Sequence, residues 1–365
     1  MTQPLRSHFA SLRRARRTVQ AIAAALLVSV ALSACAGSAD DSDAGAADAA
    51  ADGFGAASIQ LSWIKNAEFM GEIVAENEGY FTDAGFDSVD LVAGPSAIEA
   101  SVLAGTVDMG IGNAVSTGTV VANEGAPLKI IGATYQKNPF SILSLEDNGN
   151  IATIDDLKGK TIGVQASNLN LWEAFLKVND IDEADVTTLP VEYDPTPLFN
   201  GEVDGWFAYL TNESIDADLK GLKPVNLPLA DNGLPFVAET FTVTDDALEN
   251  DREKLKALLV AEIRGWTDAL KDTDMAATLV VEGFGSEFGL TIEKETLQAE
   301  IQAADLVVSE ETAENGLFTI SSDLQDESIS TLAAAGITVT ADQLFDLSLL
   351  AEVYDENPEL LDYTN

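Results

Sequence analysis

Between Ile59 and Phe81 the spacing of apolar residues changes from two to between three and four, and this change restricts the fold more than any other feature of the chain. Ile59 and Leu61 alternate with Gln60 and Ser62, as on a strand with one buried face. Phe69, Ile73, Val74 and Ala75 then share one face of a helix, and Gly79, just before Tyr80 and Phe81, supplies its stop. The loop from Trp63 to Phe69 therefore follows the carboxyl end of a strand, which is where open α/β sheets bind ligands.

Strand and helix patterns go on alternating. Residues 89–92 read as a strand, and Ser96, Ala97, Ile98 and Glu99 have the spacing of a capping box opening a helix through Leu103. A strand over 107–111, a helix over 115–123 and a strand over 128–132 follow. Further on, 155–157 form a helical turn, 161–165, 186–191 and 203–208 read as strands, and Leu171, Phe175, Leu176 and Val178 are the buried stripe of a helix. Pro195 and Pro197 mark a loop, and 231–235 mark another that returns the chain to the first half. After a strand at 240–243, Leu255, Leu258, Leu259, Ile263, Trp266 and Leu270 line one long amphipathic helix. Residues 275–354 read as helices packing through Leu279, Val280, Leu297, Ile301, Phe345, Leu349 and Leu350. Such alternation predicts an α/β protein with mainly parallel sheets and helices on both faces.

Composition removes several chemistries. Arg13, Arg14, Arg16 and Arg17 precede an apolar run, 21–34, that is shorter than the ~20 residues of a membrane span, the layout of a signal peptide. The run ends in Leu32-Ser33-Ala34-Cys35, the pattern of a bacterial lipobox, so residues 1–34 are expected to be removed and Cys35 to be lipidated. Residues 35–57 then form the lipidated cysteine and a flexible acidic linker. Cys35 is the single cysteine and His8 the single histidine, so a chain starting at Cys35 has no internal disulfide, no histidine and no free thiol. Ser-His-Asp and Cys-His catalysis and His- or Cys-based zinc sites are excluded together, and no metal is expected. Loss of the leader takes five arginines and no acids, moving the formal net charge of −42 five units further negative. That surface repels phosphate backbones, so nucleic acid is not an expected partner.

Trp63-x-x-Asn66-x-x-Phe69-x-Gly71, followed by Gly79-Tyr80-Phe81 and Ala84-Gly85-Phe86-Asp87, resembles the opening of the nitrate/sulfonate/thiamine-precursor group of ABC-transporter substrate-binding proteins. Leu103-x-Gly105-x-x-Asp108-Met109-Gly110, Asp156-Leu157-Lys158-Gly159, and Gly201-x-x-Asp204 leading to Asn212-Glu213 extend the resemblance over about residues 58–270. It implies a two-lobed periplasmic-binding-protein fold of type II with two hinge crossovers. Lobe 1 would comprise 58–145 plus 238–365, and lobe 2 would comprise 146–237. It also implies a monomeric, extracytoplasmic protein, tied to the cell membrane by lipid alone. Such a protein closes over a small-molecule ligand without a cofactor and delivers it to ABC permease and ATPase subunits.

Candidate ligand-binding residues fall in loops after strands. Trp63 offers a stacking face, Asn66 two-way hydrogen bonding and Phe69 an apolar wall. Ser96 and Asn113 stand at helix starts, where free N–H groups gather. On the opposing side stand Ser167, Asn168 and Trp172, then Tyr209, Asn212 and Glu213. The resemblance to pyrimidine binders makes Glu213 an acceptor for an amino-heterocycle; otherwise it is a solvated carboxylate at a helix start. Plain structural roles compete elsewhere too: Trp63 as a sheet cap, Ser96 as a helix cap, Trp172 as packing beneath its loop. Trp63, Phe69, Trp172, Trp206 and Tyr209, with no arginine in these loops, favour a flat, neutral or cationic heteroaromatic ligand, a thiamine pyrimidine precursor or a riboflavin-like molecule. A sulfonate, nitrate or taurine-type anion is the alternative. A thiamine pyrimidine synthase-like enzyme is a further one, but that family's histidine and cysteine cluster are missing from Ala114-Val115-Ser116-Thr117 and from 233–239. No spacing singles out a hydrolytic carboxylate pair.

Overall fold

The structure, a computed structural model, describes residues 53–363. The expected signal peptide, Cys35 and the linker up to residue 52 lie outside the described residues. The described strands are β1 (Gly55–Gln60), β2 (Phe86–Val92), β3 (Met109–Asn113), β4 (Leu128–Tyr135), β5 (Phe140–Leu145), β6 (Thr161–Gln165), β7 (Thr187–Val191), β8 (Gly205–Tyr209), β9 (Pro224–Pro228) and β10 (Ala238–Thr244). β1 starts before the linker was expected to end at 57. Its small residues pair with β2, and the Phe54 ring lies 5.2 Å from that of Phe86.

Two five-stranded sheets result, ordered β2-β1-β3-β10-β4 and β7-β6-β8-β5-β9. Both are mixed rather than mainly parallel. β1 runs parallel to β2 and β3 while β10 is antiparallel to β3 and β4, and β6 runs parallel to β7 and β8 while β5 is antiparallel to β8 and β9. The reversed strand in each sheet is the one the chain enters after crossing from the other sheet. Hydrophobic patterning encodes which face is buried, not strand direction, so the reversal was not legible. β5 and β9 were also unforeseen, and β5 moves the first crossover to 136–139 instead of 145. Its two serines are buried in hydrogen bonds to neighbouring residues, which breaks the apolar run that would have revealed it.

The helix Arg252–Lys271 buries Leu255, Leu258, Leu259, Ile263 and Trp266 as its spacing predicts, and packs on the helix Met70–Asn77. That crossing depends on two glycines. A Cβ on Gly71 would lie 2.1 Å from the Trp266 ring, and one on Gly265 would lie 2.2 Å from the Gly71 carbonyl oxygen. Gly79 has φ 77°, the left-handed stop expected.

Three expected roles are not met. The Ser96 capping box is not formed: the helix Ile98–Leu103 begins after Ala97 with no side-chain cap, and Glu99 Oε1 instead accepts from Thr117 Oγ1 at 3.2 Å. Trp206, expected among the ligand-facing aromatics, is buried under the second sheet with Leu143, Leu145, Leu198 and Val203. The helix Ile292–Gln302 turns its polar face inward, leaving Leu297 half-buried and Ile301 exposed while Glu295, Gln298 and Gln302 are buried. Glu295 Oε2 accepts from Ala67 N at 2.7 Å, Gln302 Nε2 donates to Ala67 O at 2.5 Å, and Tyr135 Oη donates to Gln302 Oε1 at 2.6 Å. Those bonds hold the loop after β1. No helix among the described residues is long and apolar enough to cross a membrane.

Candidate ligand-binding cleft

A cavity of about 300 Å³ opens at the carboxyl ends of β1, β3, β6 and β8, with residues of both sheets on its wall. Trp63, Ser96, Asn113, Ser167, Asn168, Tyr209, Asn212 and Glu213 all line it. Three expected residues do not. Asn66 is buried and caps the turn Ala67–Phe69, its Oδ1 accepting from Glu68 N at 3.2 Å. Phe69 is committed to the core below that turn. Trp172 is buried against Phe175 and Phe207 and donates from Nε1 to Thr188 Oγ1 at 2.8 Å. In each case the side chain packs beneath a loop, where sequence spacing cannot separate support from contact.

The lining side chains are held by their own elements. Asn113 Oδ1 accepts from Ser116 N at 2.9 Å and so caps the helix Ala114–Glu124 at the cavity edge. Asn168 Nδ2 donates to Gln165 Oε1, and Gln165 Nε2 to Phe207 O, at 3.1 Å each. Tyr209 stacks edge-on against Phe140, ring centres 4.4 Å apart, and with Trp63 and Phe207 these rings supply flat apolar walls. Ser96 Oγ is buried with no partner.

The floor was not foreseen. Ser62 Oγ lies 3.1 Å from Glu68 Oε1 and 2.8 Å from Glu239 Oε2, and Tyr209 Oη donates to Glu239 Oε1 at 2.6 Å. This chain of contacts joins the end of β8 in one sheet to β1 and β10 in the other. Glu239 has φ 45° at an irregularity in the β10 pairing, which turns its carboxylate toward the floor. The only sequence signal for it was an acidic residue opening an otherwise uncharged strand.

Burial is the main influence on all these carboxyls. It pushes Glu68 well above the usual carboxylate range, with the Glu239 charge adding to the rise. Glu239 is pushed up to about 7 by burial, against the opposing hydrogen bonds of Tyr209 and Ser62. Burial also raises Glu213, partly offset by Lys294 and by the Tyr209 N–H, which donates to its Oε2 at 2.9 Å. Glu213 is therefore a buried carboxyl at the cavity and not a solvated one. The wall carries Glu68, Glu99, Glu124 and Glu213 and no lysine or arginine. Among the described residues no group of three or more His, Cys, Asp or Glu is placed to hold a metal ion.

Two mixed sheets joined by two crossovers, with a cleft at their carboxyl ends, define the type II periplasmic-binding-protein architecture. A structure from Bordetella bronchiseptica RB50 is 17% identical, covering 83% of this chain and 98% of that one with a TM-score of 0.66. The zinc-bound ligand binding component of an ABC-type import system from Staphylococcus aureus is 11% identical, over 82% and 98%, with a TM-score of 0.61. The periplasmic nitrate-binding protein NrtA from Synechocystis PCC 6803 is 12% identical, over 84% and 90%, with a TM-score of 0.60. Residues 66–276 match the family described as NMT1/THI5 like, and the chain belongs to that family. No curated protein shows significant sequence similarity to it.

Proposed function

We propose that this protein is the extracytoplasmic, lipid-anchored solute-binding component of an ABC importer, capturing a small flat nitrogen heterocycle of the thiamine pyrimidine precursor type. The observation that carries the ligand class is the cleft's charge: four glutamates and flat aromatic walls, with no basic side chain. Acidic acceptors favour N–H donors and positive charge, and oppose the nitrate and sulfonate ions that related folds are named for. About 300 Å³ is at the small end of ligand pockets, which favours one ring over a tricyclic flavin. Family membership and fold support import, and closure of two lobes about the crossovers at 136–139 and 229–237 would enclose the ligand. The ligand leaves unchanged in this reading, because the described residues that build the cleft include neither histidine nor cysteine.

Calorimetric titration with an aminopyrimidine thiamine precursor, riboflavin, nitrate and an alkanesulfonate tests the class. One aminopyrimidine per chain, recovered unmodified, is the expected result. Saturable binding of an anion with none of the heterocycle would overturn it.

A further inference from the structure

The hydroxyl hydrogens at the cleft floor are too few for the contacts found there. Ser62 Oγ is close to both Glu68 Oε1 and Glu239 Oε2, and Tyr209 Oη is close to Glu239 Oε1. A hydroxyl supplies one hydrogen and an ionised carboxylate none. Two hydroxyls therefore serve only two of these three contacts, and the third needs a proton on a carboxyl. With Glu68 protonated every contact is satisfied, since its O–H donates to Ser62 Oγ, Ser62 donates to Glu239, and Tyr209 donates to the other oxygen of Glu239.

The surroundings agree with that count. Both carboxyls are buried. Glu213 acts on Glu68 with negative charge, Glu239 in turn acts on Glu72, and the Tyr135 and Tyr209 hydroxyls complete the neighbours. Lys294 acts on Glu213 and Glu295, and among the described residues no cation acts on Glu68 or Glu239. Glu68 is on the cavity wall, whereas Glu239 is reached through Ser62 and Tyr209.

We propose that Glu68 and Glu239 together hold one exchangeable proton in the empty cleft and surrender it to solvent when a planar nitrogen cation bearing N–H donors, an amidinium-like group, docks against Glu68. The one covalent change is the carboxyl O–H bond that breaks: its proton passes to buffer base, and one N–H···carboxylate ion pair takes its place. This deepens the reading of the cleft as a heterocycle binder and rests on it. It makes the pair a selector of ligand charge. A neutral isostere leaves the proton in place, and an anion gains nothing from either state. Affinity for the cation rises about tenfold per pH unit while the pair is protonated and levels off once it is ionised.

Benzamidine, which stays cationic throughout, and neutral benzamide are the probes. Each is titrated into the mature protein below neutral pH in two buffers of different ionisation enthalpy. Release of one proton per benzamidine and none per benzamide is expected. In Glu239→Gln the release should fall by more than half, and in Glu68→Gln benzamidine affinity should fall at least tenfold. Benzamidine binding without proton release in the wild type, or equal release by wild type and Glu239→Gln, would overturn the proposal. If benzamidine does not bind while the aminopyrimidine does, the charge selector fails and the proposed function stands.

Discussion

Trp63 and Phe69 stand six residues apart in one loop, and burial gives them opposite tasks. Trp63 is half-buried on the cavity wall, so Trp63→Ala is expected to weaken heterocycle binding by at least ~1 kcal/mol, the scale of an aromatic pair, with little change in denaturation midpoint. Phe69 is buried in the core, so Phe69→Ala is expected to cost about 3–5 kcal/mol of stability, read from urea unfolding. Equal binding losses without a stability change in the second variant would show that Phe69 faces the ligand. The motif made these two residues look alike because it records which loop matters, not which side of the loop each residue takes. Glu68, between them, went unnoticed for the complementary reason: a glutamate next to a helix start reads as solvated until the fold buries it.

Among the elements, the helix Ile292–Gln302 departs furthest from its pattern. Apolar spacing would have buried Leu297 and Ile301, yet the Ala67 N–H needs a partner, which Glu295 supplies, and Gln302 adds a second donor to the Ala67 carbonyl beside the Met70 N–H. Gln302→Leu leaves the Tyr135 hydroxyl unpaired and the Ala67 carbonyl with the Met70 N–H alone. The expected cost is about 1–3 kcal/mol for the stranded hydroxyl, seen in chemical denaturation together with weaker ligand binding, because the released loop carries Trp63 and Glu68. A stability loss with unchanged affinity would separate this clamp from the cleft. The helix Arg252–Lys271 followed its pattern because it packs one apolar stripe against one neighbour. There the decisive contact is backbone: Gly265→Ala drives a methyl into the Gly71 carbonyl and should destabilise by about 1–3 kcal/mol.

At the level of the whole molecule, acid groups buried without cations couple stability to pH. Burial pushes Glu72 up to about 8 and raises Glu262 well above the carboxylate range, with the Glu72 charge adding to the latter. The folded protein therefore holds protons that the unfolded chain gives up near the ordinary carboxylate value of 4.5, so stability is fully present below that value and is lost as pH rises through about 8. Thermal unfolding followed from about pH 5 to 8.5 should show a falling midpoint, and Glu72→Gln should flatten the fall by removing one of those protons. A slope identical in wild type and variant would assign the pH dependence to the overall negative charge instead.

What the amino-acid sequence determined by itself was local or cumulative: the strand-to-helix alternation, the stop at Gly79, the apolar stripe that includes Trp266, the count of one histidine and one cysteine, and the loops that meet at the cleft. Each depends on near neighbours along the chain or on a count. Strand direction in the two sheets, the position of β5, the inward polar face of Ile292–Gln302 and the floor formed by Ser62, Glu68, Tyr209 and Glu239 were decided by tertiary structure. They bring together groups as many as 235 residues apart, and their burial, which sets their charge, exists only once the two sheets are in place.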